Sequence, residues 1–221
     1  MKPQILTRKK YVCFDLDGTL SDPAVGITTC IRHALDQLGV RSPNEAQLRD
    51  WIGPPLQVSF QDWLGSSAQV DRAVQLYRDR FARVGLYENQ LYEGVPELLA
   101  QVATTAEALF VVTSKPQPFA LRIVQHFGLA DFFQGVYGSQ LDGTHADKGD
   151  LLAHVLHTEG LRPEQGVMVG DRRHDVLGAQ KNAMPAIGVL WGFGSATELQ
   201  TAGATALCTT VPELAALLSG L

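Results

Sequence analysis

Cysteine is scarce. The three present, Cys13, Cys30 and Cys208, are too few and too scattered for a disulfide framework or a zinc site, so they read as small buried hydrophobes. The six histidines are no better placed: His33, His126, His145, His154 and His157 show no metal-ligand spacing with another soft ligand, and His174 reads as structural. No apolar run approaches the ~20 residues that a membrane-spanning helix needs, and the first residues lack the apolar stretch of a secretory signal, so a soluble, cytoplasmic protein is expected. Basic excess is missing too. With 18 Lys+Arg against 23 interspersed Asp+Glu, the formal net charge is -5, and nothing predicts a nucleic-acid polymer or a membrane as partner. Lys2, Arg8, Lys9 and Lys10 form the one local basic cluster, expected to be solvated. There are no internal repeats and no low-complexity tracts. What remains, 221 residues of 45% hydrophobic and 19% charged content, suffices for a full α/β core and a smaller second unit.

The informative stretch is 11–22, Tyr-Val-Cys-Phe-Asp-Leu-Asp-Gly-Thr-Leu-Ser-Asp. Its apolar run, 12–14, has the length and the β-branched and aromatic content of a buried strand, and it stops at two carboxylates, Asp15 and Asp17. In a parallel α/β sheet ligands bind beyond the carboxyl ends of the strands, which puts both acids at the floor of a pocket. Gly18 then lets the chain turn and approach a ligand closely. Taken alone, Asp15 to Gly18 is equally a plain turn, since Asp and Gly are turn residues in their own right.

Two more apolar runs end in the same way, 110–112 at Thr113-Ser114-Lys115 and 167–169 at Gly170-Asp171. In this order the stretches resemble the haloacid dehalogenase superfamily, whose first motif, Asp-x-Asp-Gly-Thr, stands here at Asp15 to Thr19. Thr113-Ser114-Lys115 resembles its second motif, Lys148 its third-motif lysine, and Gly170 to Asp175 its fourth, Gly-Asp-x-x-x-Asp. Around Lys148 the chain reads Ala-Asp-Lys-Gly-Asp rather than the Lys-Pro-x-Pro common in relatives, and Lys115 stands as the alternative for that lysine. The resemblance covers almost the whole chain. Several of these stretches, with Ile52-Gly53-Pro54-Pro55-Leu56, are similar to the phosphoglycolate phosphatase group, and within it to a branch of 5′-nucleotidases.

Periodicity along the chain agrees with an α/β fold. Ile27, Ile31, Ala34, Leu35 and Leu38 share a helical face stopped by Gly39, a shorter segment runs from Ser42 to Trp51, and Val70, Ala73, Val74, Tyr77 and Phe81 form a second amphipathic run. Between 23 and 92 only helices are expected. From Gly94 the chain alternates: helix 96–103, strand 108–112, helix 119–127, strand 136–138, helix 151–157, strand 166–169, helix 176–182, strand 187–190 and helix 211–218. Such alternation means a parallel sheet with helices on both faces. The expected organisation is a Rossmann-like core, 1–22 and 93–221, with an all-helical insertion, 23–92, after the first strand; the resemblance implies that this insertion is a cap over the site.

For such a site to accept a phosphate monoester, cations are required, because one like-charge pair at 4 Å costs about 4 kcal/mol at an effective dielectric near 20. Oxygen ligands without a His or Cys cluster select Mg²⁺. Asp15, Asp17 and Asp171 are the expected metal ligands, with Asp175 behind them, since residues four apart at a helix start share a face. The resemblance makes Asp15 the nucleophile of an aspartyl-phosphate mechanism and Asp17 the general acid and base; the family's dehalogenases lack an acid at that second position and its phosphatases have it. Gly18, Thr113, Ser114 and Lys148 are the expected phosphate-binding residues. Thr113 reads equally as an N-cap for the following helix.

The expected activity is a Mg²⁺-dependent phosphomonoesterase acting on a small metabolite, foremost a nucleoside 5′-monophosphate, in a monomer or weak dimer. A 2-phosphoglycolate phosphatase, a sugar-phosphate phosphomutase and a non-catalytic phosphoryl-binding protein on the same fold remain open. Arg49 and Trp51 are the candidate specificity residues: an arginine suits a substrate carboxylate, and the rings of Trp51, Phe60 and Trp63 either stack on a base or form the insertion's own small core.

Overall fold

A computed structural model describes residues 9–220. Its central strand is β1 (Tyr11–Phe14), whose four residues are all buried, as a strand covered on both faces must be. On one side it pairs in parallel with β4 (Ala108–Pro116), which pairs with β5 (Gly135–Ser139); on the other it pairs with β6 (Gly166–Gly170), then β7 (Ala186–Val189) and β8 (Ala206–Cys208). The order β5-β4-β1-β6-β7-β8 reverses direction at β1. Parallel crossovers are right-handed, so connections running in opposite directions place their helices on opposite faces of the sheet. Such a reversal opens a crevice at the carboxyl ends of the strands beside it, and those strands are β4, β1 and β6.

On one face, Tyr11 and Cys13 of β1, Phe110 and Val112 of β4 and Met168 of β6 pack on Leu151, Leu152 and Val155 of α7 (Lys148–Thr158) and on Val176 and Ala179 of α8 (Arg173–Lys181). The alternation of these strand positions is the period-two signature of a pleated strand. Helices α5 (Val95–Val102) and α10 (Val211–Ser219) pack against each other, and α6 (Gln117–His126) lies against β4 and β5.

The chain divides into two compact units, one running up to Ser21 and from Leu91 onward, the other spanning Asp22–Gln90. The second is built from α1 (Ala24–Gln37), α2 (Glu45–Asp50), α3 (Leu56–Leu64) and α4 (Ser67–Arg83). Ile27, Ile31, Ala34 and Leu35 of α1 and Val70, Ala73, Val74, Tyr77 and Phe81 of α4 are buried, and the two helices pack together. Arg80 holds Glu88 through two hydrogen bonds of 2.8 and 2.9 Å.

Several elements depart from the sequence reading. The 23–92 stretch is not wholly without strand: β3 (Gln90–Leu91) pairs with β2 (Ser21–Asp22). Strand β4 runs on through Thr113-Ser114-Lys115-Pro116, beyond the expected end at Val112. The six-residue α9 (Ala196–Thr201) and the three-residue β8 are too short to show a period. All three cysteines are buried and none forms a disulfide. Of the basic cluster, Lys2 and Arg8 lie outside the described residues, while Lys9 donates to the Glu164 carbonyl and Lys10 pairs with Glu107 at 2.9 Å. Among the described residues no helix is long and apolar enough to cross a membrane.

Candidate active site

Three neighbouring strands deliver the chemistry. Beyond β1, the amides of Thr19, Leu20 and Ser21 converge on the Leu16 carbonyl and fold 15–21 into a tight loop. Gly18 adopts φ +82°, and a Cβ placed on it would stand 2.2 Å from Asp171 Oδ2. Gly192 closes in from the far side, where a Cβ would meet the same oxygen at 2.4 Å. Asp171, at the end of β6, is fully buried in this cradle. Its Oδ2 accepts from the Phe193 amide at 2.7 Å and its Oδ1 from the Thr19 hydroxyl at 3.5 Å.

Asp15, Asp171 and Asp175 each bring a carboxylate oxygen within 4.8 Å of the others. A buried lysine offsets two of them. Lys148, the first residue of α7 and 4% exposed, directs its ammonium at the Val112 carbonyl (2.9 Å), Asp15 Oδ1 (2.9 Å) and Asp175 Oδ1 (2.8 Å). The two carboxylate oxygens meet it at ion-pair distance but off the axis of a good hydrogen bond. Between Lys148 and Lys115, the two candidates for this position, Lys148 faces Asp15; Lys115 pairs instead with Asp17.

Placement of the acids follows from these pairings. Asp175 stands in the carboxylate triad and not behind it, since Lys148 grips its Oδ1 while the Arg172 amide donates to its Oδ2 at 3.1 Å. The carboxylate of Asp17 is not one of the three. Its Oδ2 goes to Lys115, while its Oδ1 is buried without a hydrogen-bond partner. Thr113 does not cap α6, which has no side-chain cap; it is buried in β4 and its hydroxyl accepts from the Lys115 amide at 3.3 Å. Ser114 lends its carbonyl to the Ser139 hydroxyl at 2.8 Å.

Burial raises the affinity of these acids for protons. Asp171 is pushed well above the ordinary carboxylate range by desolvation, then by the charges of Asp175 and Asp15. Desolvation likewise raises Asp175 against the pull of Lys148, and Asp17 against the pull of Lys115. Burial alone would depress Lys148, yet Asp15 and Asp175 hold it above its usual value. Among the described residues of the site, four carboxylates crowd two ammoniums. Its all-oxygen donor set and the glycine-walled recess around Asp171 suit a hard divalent cation.

Sequence reasoning missed Thr19, Phe193 and Trp191, whose indole N-H donates to the Thr19 carbonyl at 3.0 Å. The signal was there in Trp-Gly-Phe-Gly, 191–194, directly after a strand of the sheet. Arg49 and Trp51 belong to the helical unit, at the end of α2 and at its C-cap. Trp51 meets Phe60 edge-on at 5.3 Å and Trp63 at 6.3 Å, so its ring belongs to a small aromatic core.

Residues 12–189 match the family described as haloacid dehalogenase-like hydrolase. A 5′-nucleotidase of Pseudomonas aeruginosa is 45% identical over 211 residues, covering 95% of this chain and 94% of its own. The tyrosine-protein kinase PtkA of Mycobacterium tuberculosis is 37% identical over 207 residues, covering 93% of this chain and 71% of its own. Among solved structures, a predicted phosphatase from Clostridium acetobutylicum has a TM-score of 0.93 at 38% identity and covers 97% of this chain and 100% of that one.

Proposed function

The chain belongs to the haloacid dehalogenase-like hydrolase family, and from that premise we propose that it is a Mg²⁺-dependent phosphatase of nucleoside 5′-monophosphates. The observation that carries the reading is the buried triad Asp15, Asp171 and Asp175 with Lys148 wedged between two of its members. The 45% identity to a 5′-nucleotidase supports the substrate class.

In this reading Asp15, Asp171 and Asp175 hold the Mg²⁺. When bound, the ion supplies positive charge that lets a phosphate dianion enter a field of carboxylates. Asp15 attacks phosphorus as its carboxylate, forming an O–P bond as the bond to the leaving oxygen breaks. Asp17 gives that oxygen its proton, and burial raises its affinity for one. The free nucleoside departs. Asp17, now a carboxylate, takes a proton from the water that attacks the aspartyl phosphate, and inorganic phosphate and Asp15 are restored. Lys148 keeps Asp15 aimed, while Gly18, Thr113 and Ser114 frame the phosphoryl oxygens. Arg49 of the helical unit is the candidate specificity residue.

The test is phosphate release from nucleoside monophosphates, phosphoglycolate and sugar phosphates, with Mg²⁺ and with chelator, on wild type, Asp15→Asn and Arg49→Ala. Expected are a nucleotide preference, silence in chelator and silence in Asp15→Asn. A phosphoglycolate preference that collapses in Arg49→Ala replaces the substrate class, and isomerisation of a sugar phosphate without phosphate release replaces the hydrolase reading. Because one relative is named a tyrosine kinase, a tyrosine peptide with ATP belongs in the panel; transfer to it would move the acceptor from water to a phenol.

A further inference from the structure

Lys115 is a cation at the site that the mechanism above leaves without a task. The Lys148 ammonium meets Val112, Asp15 and Asp175, and Asp17 is paired by Lys115. How Lys115 reaches Asp17 is visible in the sheet. Strands β4 and β5 pair Thr113 with Gly138 and then Pro116 with Ser139, so β4 spends three residues where β5 spends one. The surplus, Ser114 and Lys115, bulges out of the ladder and is pinned by the bond from the Ser139 hydroxyl to the Ser114 carbonyl. Bulges re-aim side chains and collect beside active sites. Here the result is a lysine side chain, 5% exposed, whose ammonium meets Oδ2 of Asp17 and leaves Oδ1 buried and unpartnered.

We propose that Lys115 is a positioning residue that clamps Oδ2 of Asp17, so that Oδ1 alone faces the leaving oxygen and carries the proton. The clamp replaces a carboxylate free to rotate by one with a fixed orientation, and the bulge ties that orientation to the sheet rather than to a loop. This inference rests on Asp17 being the acid and base of the reaction. The group it orients matters most when the leaving group is a poor one, because an alkoxide departs only with a proton whereas an acidic phenol departs without help.

Leaving-group dependence therefore tests it, with a nucleoside 5′-monophosphate and 4-nitrophenyl phosphate as substrates for Asp17→Asn, Lys115→Met, Lys115→Arg and the double variant. Lys115→Met should lose about 100-fold in kcat on the nucleotide and less than about 5-fold on the aryl ester, in the range that a positioned acid contributes. KM should stay within about threefold on both, and Lys115→Arg, which keeps a cation in the bulge, should recover most of the nucleotide rate. The double variant should be no slower than Asp17→Asn, since both changes remove one function. Equal losses on the two substrates in Lys115→Met, beside selective losses in Asp17→Asn, would overturn the clamp and leave the acid in place. Equal losses in Asp17→Asn itself would overturn the acid role, and the clamp with it. Should Lys115→Met not fold, because it strands a buried carboxylate, the double variant removes both charges and decides: a further loss beyond Asp17→Asn refutes the clamp.

Discussion

Replacing Lys148 by methionine keeps the bulk of the side chain and removes its charge. The ammonium lost is buried and within 2.9 Å of Val112, Asp15 and Asp175, so two carboxylates and a carbonyl lose their partner at once. Breaking a buried ion pair by deleting one member costs about 3–5 kcal/mol, a large part of the roughly 5–15 kcal/mol that holds a native protein together. Two outlets moderate the cost. Protons are one: Asp175 and Asp171 already have raised proton affinity, so the stranded carboxylates neutralise as pH falls and the deficit shrinks between pH 8 and pH 5. A divalent cation is the other, since binding to the native state alone adds about 2.7 kcal/mol at one hundred times Kd. Urea unfolding followed by circular dichroism, in chelator and in excess Mg²⁺ at both pH values, separates these contributions. The expected result is a deficit of about 3–5 kcal/mol in chelator at pH 8, smaller at pH 5 and smaller again with Mg²⁺. A deficit under about 1 kcal/mol in chelator at pH 8, or one that does not depend on pH, would show that Lys148 is not compensating buried charge.

The same linkage sets the behaviour of the metal-free wild type. Asp17, Asp171 and Asp175 all bind protons more tightly folded than unfolded, so from about pH 4 upward the native state holds more protons and stability falls as pH rises; a chelated protein that melts higher at pH 7.5 than at pH 5 would contradict this sign. Gly18→Ala places a Cβ 2.2 Å from Asp171 Oδ2 in a left-handed conformation, and isothermal titration should show Mg²⁺ affinity at least tenfold weaker, with unchanged affinity counting against the cradle. Phe60 is fully buried in the helical unit, so Phe60→Ala should cost about 3–5 kcal/mol in chemical unfolding. A loss below about 1 kcal/mol would mean that Trp51 and Trp63 do not depend on Phe60 for their packing.

What the sequence makes legible is the part that depends on long buried runs. Residues 12–14, 110–112 and 167–169 announce three strands, although β4 runs on through the polar residues 113–115 to Pro116. Lys148 is harder. As a lone lysine before a helix it looks solvated, and only its place in chain order marks it, because the carboxylates that desolvate it arrive from 15 and 175. Asp175 is expected behind the ligands, and its place in the triad beside Lys148 is one that no local pattern displays. The bulge at 114–115 is invisible for a different reason: register between β4 and β5 belongs to the pair of strands and not to either one. In the helical unit, Trp51 near Phe60 fits a base-stacking face and a small core equally well by spacing, and only the edge-on ring geometry separates them.

The spread of the site along the chain has a consequence for its birth. The Thr19 hydroxyl and the Asp171 carboxylate that it touches are 152 residues apart, so nothing here can assemble until most of the polypeptide exists. Domains fold from the N-terminal side during synthesis. Asp15 and Asp17 emerge first, Lys115 and Lys148 follow, and Asp171 and Asp175 come last. Each early acid therefore has its lysine available before the late acids join, and the growing chain never has to gather four unneutralised carboxylates. The charge order written along the sequence is also an order in time.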